Sequence, residues 1–324
     1  MLNVERLFPL LLTFFLCLGC SPSTPQPEGS NTDASVQEER VEVTPEPVSE
    51  DPLENLGKVE KVVDGFLFSE GPLWDSSKKV LYLSDILANK IHVLTPPSSL
   101  KDFREPTNFS NGLAFSPKGL LLAAERTTRR ISITQSDGKI ETLAGAFDGK
   151  KFHGPNDLTV RKDGTVYFTD PPYVVSGDKE LTFNGVFRIA PDKTVTALWK
   201  GEDKTRPNGI VLSPDESRLY FVDAAAGVLY VGNVASDGNV AAFEKLADTA
   251  ATPDGMTVDI RENLYIATKD GVQVYKKDGT LWGTIPVPEQ PTNCTFGDEG
   301  RTTLYITARS SLYKVTNMPF AGSH

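Results

Sequence analysis

The chain has 324 residues, with 43 acidic against 33 basic side chains and a formal net charge of −10. Nine acids and one base, Arg40, fall within residues 21–56, so that segment carries −8 of the total and the rest is nearly neutral. Nothing in this distribution suggests a nucleic-acid partner, and it assigns no charge to a substrate.

Residues 1–20, MLNVERLFPLLLTFFLCLGC, join Arg6 to an apolar run that is too short to span a bilayer but suits a secretory signal. The run ends in Gly19-Cys20-Ser21, which resembles a bacterial lipoprotein signal with Cys20 as the lipidated first residue of the mature chain; Cys17 stands where a leucine is usual. The expectation is an exported protein held to the membrane of a bacterial cell envelope by lipid, on the outer membrane if the source is Gram-negative. Residues 21–56 are rich in Pro, Ser, Thr and Glu, which predicts a disordered tether, because such a segment buries too little apolar surface to offset its ordering entropy.

Residues 57–324 are long enough for a substantial core and repeat one phrase six times. The copies are EGPLWDSSKKVLYLSDI from Glu70, NGLAFSPKGLLLAAE from Asn111, NDLTVRKDGTVYFTDP from Asn156, NGIVLSPDESRLYFVDA from Asn208, DGMTVDIRENLYIATKD from Asp254 and NCTFGDEGRTTLYITAR from Asn293. Their spacing of 39 to 52 residues is that of a β-propeller. Each copy holds two strands joined by a turn such as SPKG, KDG or SPDE, and a third strand follows (KIHVLT, RISITQ, GVFRIA, GVLYVGNV, GVQVYKK, SLYKVT). Nearly continuous apolar runs such as VLYL and RLYFV predict strands covered on both faces. The expected fold is therefore all-β: a six-bladed propeller with four-stranded blades. The spare strand KVEKVVDGF, ahead of the first copy, is expected to pair in the sixth blade and close the ring.

Of three cysteines, only Cys294 lies in this domain, so neither a disulfide framework nor a thiolate metal cluster can be built there. Nucleophile elbows, HExxH pairs, Walker loops and dinucleotide fingerprints are missing. The six repeat-opening residues remain. In a propeller the first strand of each blade lines the central channel, so Glu70, Asn111, Asn156, Asn208, Asp254 and Asn293 would form a ring at one mouth. Carboxylates and amides facing one another are costly to bury unless they share a partner, and a hard divalent cation is the partner that oxygen donors prefer.

The phrases SEGPLW, GPNDLTVRKDGTVYFTDPPY, PNGIVLSPDE, TPDGMTVD and PTNCTFGDEGRTTLYIT resemble the gluconolactonase branch of the senescence marker protein/gluconolactonase (regucalcin-like) family, in the family's order across residues 57–317. The resemblance implies a six-bladed propeller that hydrolyses sugar lactones with one divalent metal. Carried over, its metal ligands fall on Glu70, Asn156, Asn208 and Asp254, with Asp254 also the catalytic carboxylate. Animal members carry an arginine where Gly154 stands, which leaves the neighbouring His153 as a candidate substrate contact, with Asn111. Where a histidine often follows the second-blade acid, this chain reads Glu125-Arg126, and Arg130 of the ERTTRRIS stretch is a further candidate contact. The long insertion from Asp170 to Gly185 is the kind of loop that roofs a site, with Tyr173 as its candidate roof residue.

Lactone hydrolysis passes through a tetrahedral oxyanion. A divalent ion polarises the carbonyl and lowers the pKa of a bound water, and Asp254 within reach takes the proton. Oxygen-only ligation favours Ca²⁺, with Mg²⁺, Mn²⁺ and Zn²⁺ as alternatives. Two other readings stay open: a phosphotriesterase-like hydrolase, and a non-enzymatic lipid-anchored propeller that binds a sugar or a protein.

Overall fold

The computed structural model describes residues 49–173 and 178–323. The signal segment, the lipidation site Cys20 and most of the tether lie outside the described residues. The compact unit containing the repeats begins at Ser49. Leu53 and Leu56 pack against the core, and the Gly57 amide donates to the Thr316 carbonyl at 2.8 Å. The ordered fold therefore takes in the last residues of the segment read as tether.

Every described regular element is a β-strand except the 3₁₀ turn Glu299–Arg301. The second strand of each repeat is buried along its length, as in Val80–Asp85, Leu121–Glu125, Val166–Asp170 and Leu264–Thr268. Both faces are covered, so apolar residues need not alternate. Outer strands such as Ser99–Arg104 and Glu244–Asp248 are mostly exposed, and their weak apolar pattern hid them from the sequence reading. Turns between the first two strands close locally: the Gly119 amide donates to the Ser116 carbonyl at 2.8 Å, with Gly119 at φ 73°, a conformation that costs glycine nothing.

Four sheets of four strands run in simple up-and-down order, and a fifth sheet has six strands. The structure thus shows five sheets of four or more strands where six separate blades were expected. Long strands cause the difference. Val59–Asp75 pairs at its start with Thr303–Val315 (Val59 opposite Val315, Asp64 opposite Ser311) and at its end with Val80–Asp85 (Glu70 opposite Ser84, Asp75 opposite Val80). The repeats opening at Asn293 and Glu70 consequently share one sheet. Thr303–Val315 likewise runs through TLYITAR and SLYKVT, which the sequence reads as two strands.

The core lies between neighbouring repeats. Phe168 and Phe187 of the third repeat stack at 5.3 Å and pack with Leu122 and Ile131 of the second. Phe221 of the fourth packs with Tyr167 and Val186 of the third, and Phe296 of the sixth with Tyr265 of the fifth. Trp74 and Leu81 of the first repeat pack with Tyr305 and Leu312 of the sixth. Each such buried side chain contributes about 1.5–3 kcal/mol.

Candidate active site

Five of the six repeat-opening residues lie at the head of the inner strands, or two residues before them, and Glu70 lies within the long strand Val59–Asp75. Asn111, Asn208 and Asn293 are within Ser110–Phe115, Pro207–Leu212 and Asn293–Gly297, whereas Asn156 and Asp254 precede Leu158–Val160 and Met256–Val258. The latter two still join the ladder through their amides, which donate to the Thr169 and Ala267 carbonyls at 2.9 and 2.8 Å.

Glycine follows four of the six, and the structure gives the reason. A Cβ on Gly112 would stand 2.4 Å from an Asp157 carboxylate oxygen, one on Gly209 2.3 Å from the Asp254 carbonyl, and one on Gly255 1.8 Å from the Asn293 side chain. Asn-Gly and Asp-Gly here permit close approach of adjacent inner strands; they are not hairpin turns. The approach is sealed by backbone bonds from Gly112 to Asn156, Gly209 to Asp254 and Gly255 to Thr292, at 2.8, 3.0 and 2.7 Å.

Glu70, Asn111, Asn156, Asn208 and Asp254 line one cavity of about 380 Å³. The Asn111 amide donates to Asn156 Oδ1, the Asn156 amide to Asn208 Oδ1 at 3.1 Å, and the Asn208 amide to the Tyr173 hydroxyl at 2.9 Å. Asp254 lies close enough to Glu70 for its charge to raise the Glu70 carboxyl. Asn293 belongs to the underside: its amide donates to Glu70 Oε2 at 3.1 Å, and with Asp157 it lines a second cavity of about 270 Å³.

Burial, with Asp254 and Asp157 nearby, pushes the Glu70 carboxyl well above its ordinary value. Burial pushes Asp254 up as well, against the Asn208 hydrogen bond, and raises Asp157 to about 7. Glu70 and Asp254, two buried acids on one cavity that resist ionisation, are a place for a cation. Asn111 Oδ1 is buried with no hydrogen-bond partner among the described residues, which leaves an acceptor free at the same cavity. No cluster of three His, Cys, Asp or Glu side chains gathers among the described residues. The donors that fit a divalent ion are therefore two carboxylates and neighbouring amides, all oxygen, as a hard ion prefers.

A further set of acids, which the sequence reading passed over, holds the ring in place. Asp85 accepts the amides of Leu67 and Phe68, both at 2.9 Å. Asp170 accepts those of His153 and Gly154 at 2.8 and 2.7 Å, and Asp223 that of Arg206 at 2.8 Å. Each thus fixes the backbone two residues before a ring residue. Their signal was present: with Glu125, they close the second strands 14 or 15 residues after each ring residue.

Two expected substrate contacts lie off the cavity. His153 is fully buried, with Nε2 3.1 Å from the Leu181 carbonyl, and burial lowers its pKa. Arg130 donates to Glu125 at 2.7 Å and to the Thr142 hydroxyl at 2.9 Å. The cation on the cavity is Arg126, 5.9 Å from the centre of the Tyr173 ring. Tyr173 lines the cavity as expected, and burial raises its hydroxyl pKa. Phe68, Ile86 and Leu87 form an apolar wall that no repeat pattern announced.

An all-β propeller with a polar ring of oxygen donors defines the class of protein. Residues 68–310 match the SMP-30/Gluconolactonase/LRE-like region, and the chain belongs to that family. It is 33% identical to gluconolactonase of Zymomonas mobilis over 294 residues, 81% of this chain and 82% of that protein. Pentonolactonase XacC of Haloferax volcanii is 30% identical over 259 residues, 77% of this chain and 84% of the relative. The solved structure of a Xanthomonas campestris gluconolactonase superposes with a TM-score of 0.74 at 30% identity, over 80% of this chain and 89% of that one.

Proposed function

We propose that this protein is a lactone hydrolase that opens a sugar lactone in the cavity of Glu70, Asn156, Asn208 and Asp254. One observation carries the reading: four side chains from four repeats, widely separated in sequence, line the same cavity in a chain whose family includes lactonases of glucono- and pentono-lactones.

Glu70, Asn156, Asn208 and Asp254 would hold a divalent cation, with Ca²⁺ favoured by the oxygen-only donors. Such an ion supplies Lewis acidity toward a carbonyl and acidifies water. Asp254 takes the proton from the attacking water and returns it to the departing ring oxygen. The Tyr173 hydroxyl, accepting from Asn208, keeps its own proton to offer a substrate oxygen. Initial rates on a panel of lactones and phosphotriesters, before and after chelation and with Ca²⁺ restored, test the reading. Lactone turnover that chelation abolishes and Ca²⁺ restores is expected; turnover of phosphotriesters alone, or of nothing, refutes it.

Two further parts of this reading concern the whole chain. Six blades are supported by the packing of Tyr305 and Leu312 with Trp74 and Leu81, and by the register break between Asp64 and Ser69 inside the six-stranded sheet. Lipid anchoring through Cys20, and with it a place in the cell envelope, is supported by the Gly19-Cys20-Ser21 context.

A further inference from the structure

Arg126 is the single cation among the described residues that line the site cavity. It is half-buried at the end of the second repeat, directly after Glu125. Among the described residues its guanidinium makes no hydrogen bond and no ion pair; its described neighbours are the Tyr173 ring and, at longer range, the charges of Glu70 and Asp254. The other arginines of the same stretch are engaged: Arg130 on Glu125 and Thr142, and Arg129 on the Phe152 and Lys151 carbonyls.

A guanidinium presents five N–H donors in a rigid fork, and leaving them unmet in a half-buried cavity is costly. Their natural complement is a planar or tetrahedral anion bound through two parallel hydrogen bonds. The charge balance points the same way. The cavity carries two carboxylates, Glu70 and Asp254, against one guanidinium. With a divalent cation on the carboxylates, which is the reading of the preceding subsection and on which this inference rests, Arg126 remains as net positive charge facing the substrate.

We infer that Arg126 selects lactones bearing a second, anionic group away from the reacting carbonyl: a carboxylate or a phosphate on the sugar's far end. The Tyr173 ring flanks the guanidinium, while the amides and carboxylates of the ring hold the lactone end.

Matched pairs test this. Glucono-1,4-lactone is compared with glucaro-1,4-lactone, which carries a carboxylate in place of the terminal alcohol, and glucono-1,5-lactone with its 6-phosphate. In the calcium-loaded wild type, kcat/KM for the anionic member of at least one pair is expected to be about tenfold or more above its neutral partner; the pair that shows it tells carboxylate from phosphate. Arg126→Gln should lose at least about tenfold more on the anionic than on the neutral member, and Arg126→Lys should recover part of the difference. Titration calorimetry with glucose 6-phosphate and glucuronate against glucose, sugar rings that cannot be opened by hydrolysis, gives a readout independent of turnover. Binding of one of the two anions, weakened by Arg126→Gln, is expected. Equal losses on neutral and anionic lactones would assign the guanidinium to the reacting carbonyl and overturn the inference, as would the lack of any anionic preference. Should no lactone turn over while anion binding still depends on Arg126, the lactonase reading fails and the anion site stands.

Discussion

Asp254 and Glu70 line one cavity where burial disfavours both charges, and the charge of Asp254 raises the Glu70 carboxyl further. Two carboxylates so placed hold protons until a cation replaces them. Calcium binding should therefore release protons, and affinity should fall as pH falls, which calorimetry in buffers of different ionisation enthalpy measures directly. Glu70→Gln removes one of the two charges, so calcium content by elemental analysis should drop to near background with the fold retained. Asp254→Asn separates ligand from base. An amide can still coordinate but has no proton affinity near neutrality, so the lactonase rate at saturating calcium should fall about a hundredfold or more. A rate that survives would move the base to another group.

The inner strands depend on glycine for a reason that their loops do not share. Gly209→Ala places a Cβ 2.3 Å from the Asp254 carbonyl and displaces the strand end that carries Asp254. A loss of about 1–3 kcal/mol by denaturant titration is expected, accompanied by weakened calcium binding. Gly119→Ala makes the opposite control. Nothing lies within 4 Å of its Cβ, and the strain comes only from its φ of 73°, so it should cost about 1–2 kcal/mol with calcium affinity intact. Equal effects on calcium in the two variants would contradict the close-packing account. In the same way, the paired acceptance of the His153 and Gly154 amides by Asp170 shows how one buried acid at a strand end places Asn156 two residues away.

Among the described residues, five buried acids titrate in a direction that lowers metal-free stability as pH rises. Asp157 and Asp170 are raised to about 7 by burial, and Glu70, Asp254 and Asp259 are raised too. Below about pH 4 these groups are protonated in both states and cost nothing. Between there and about pH 7 the folded state binds more protons than the unfolded one, so stability falls with rising pH. The melting temperature of chelated protein should decline from pH 5 to pH 8, and added calcium should raise it more at pH 8 than at pH 5. A flat profile without metal would show that these acids ionise freely. At the other end of the chain, labelled palmitate should enter the wild-type protein and be lost in Cys20→Ser, together with its place in the membrane fraction; soluble, unlabelled wild type would refute the anchor.

Local pattern was sufficient for the repeat and for the first three strands of most copies. Polar residue, apolar run, turn and apolar run are contiguous in each copy, so the sequence alone set Glu70, Asn111, Asn156, Asn208 and Asp254 at equivalent positions, and equivalence brought them to one cavity. It could not say which arginine faces that cavity. Arg126, Arg129 and Arg130 lie within five residues of one another, and the directions of the last two are decided by Glu125, Thr142 and the Phe152 carbonyl, which leaves Arg126 on the cavity. The same holds for His153, turned inward by the Leu181 carbonyl of a distant loop. The spare strand pairs with the last repeat, Val59 opposite Val315, but its unbroken run into the inner strand of the first repeat, which joins the two repeats into one sheet, is likewise tertiary. Side-chain direction at a strand end, and continuity of a strand between blades, are settled by the neighbours that fill the space around them. Those neighbours are set by chain closure and are not contained in any short stretch of sequence.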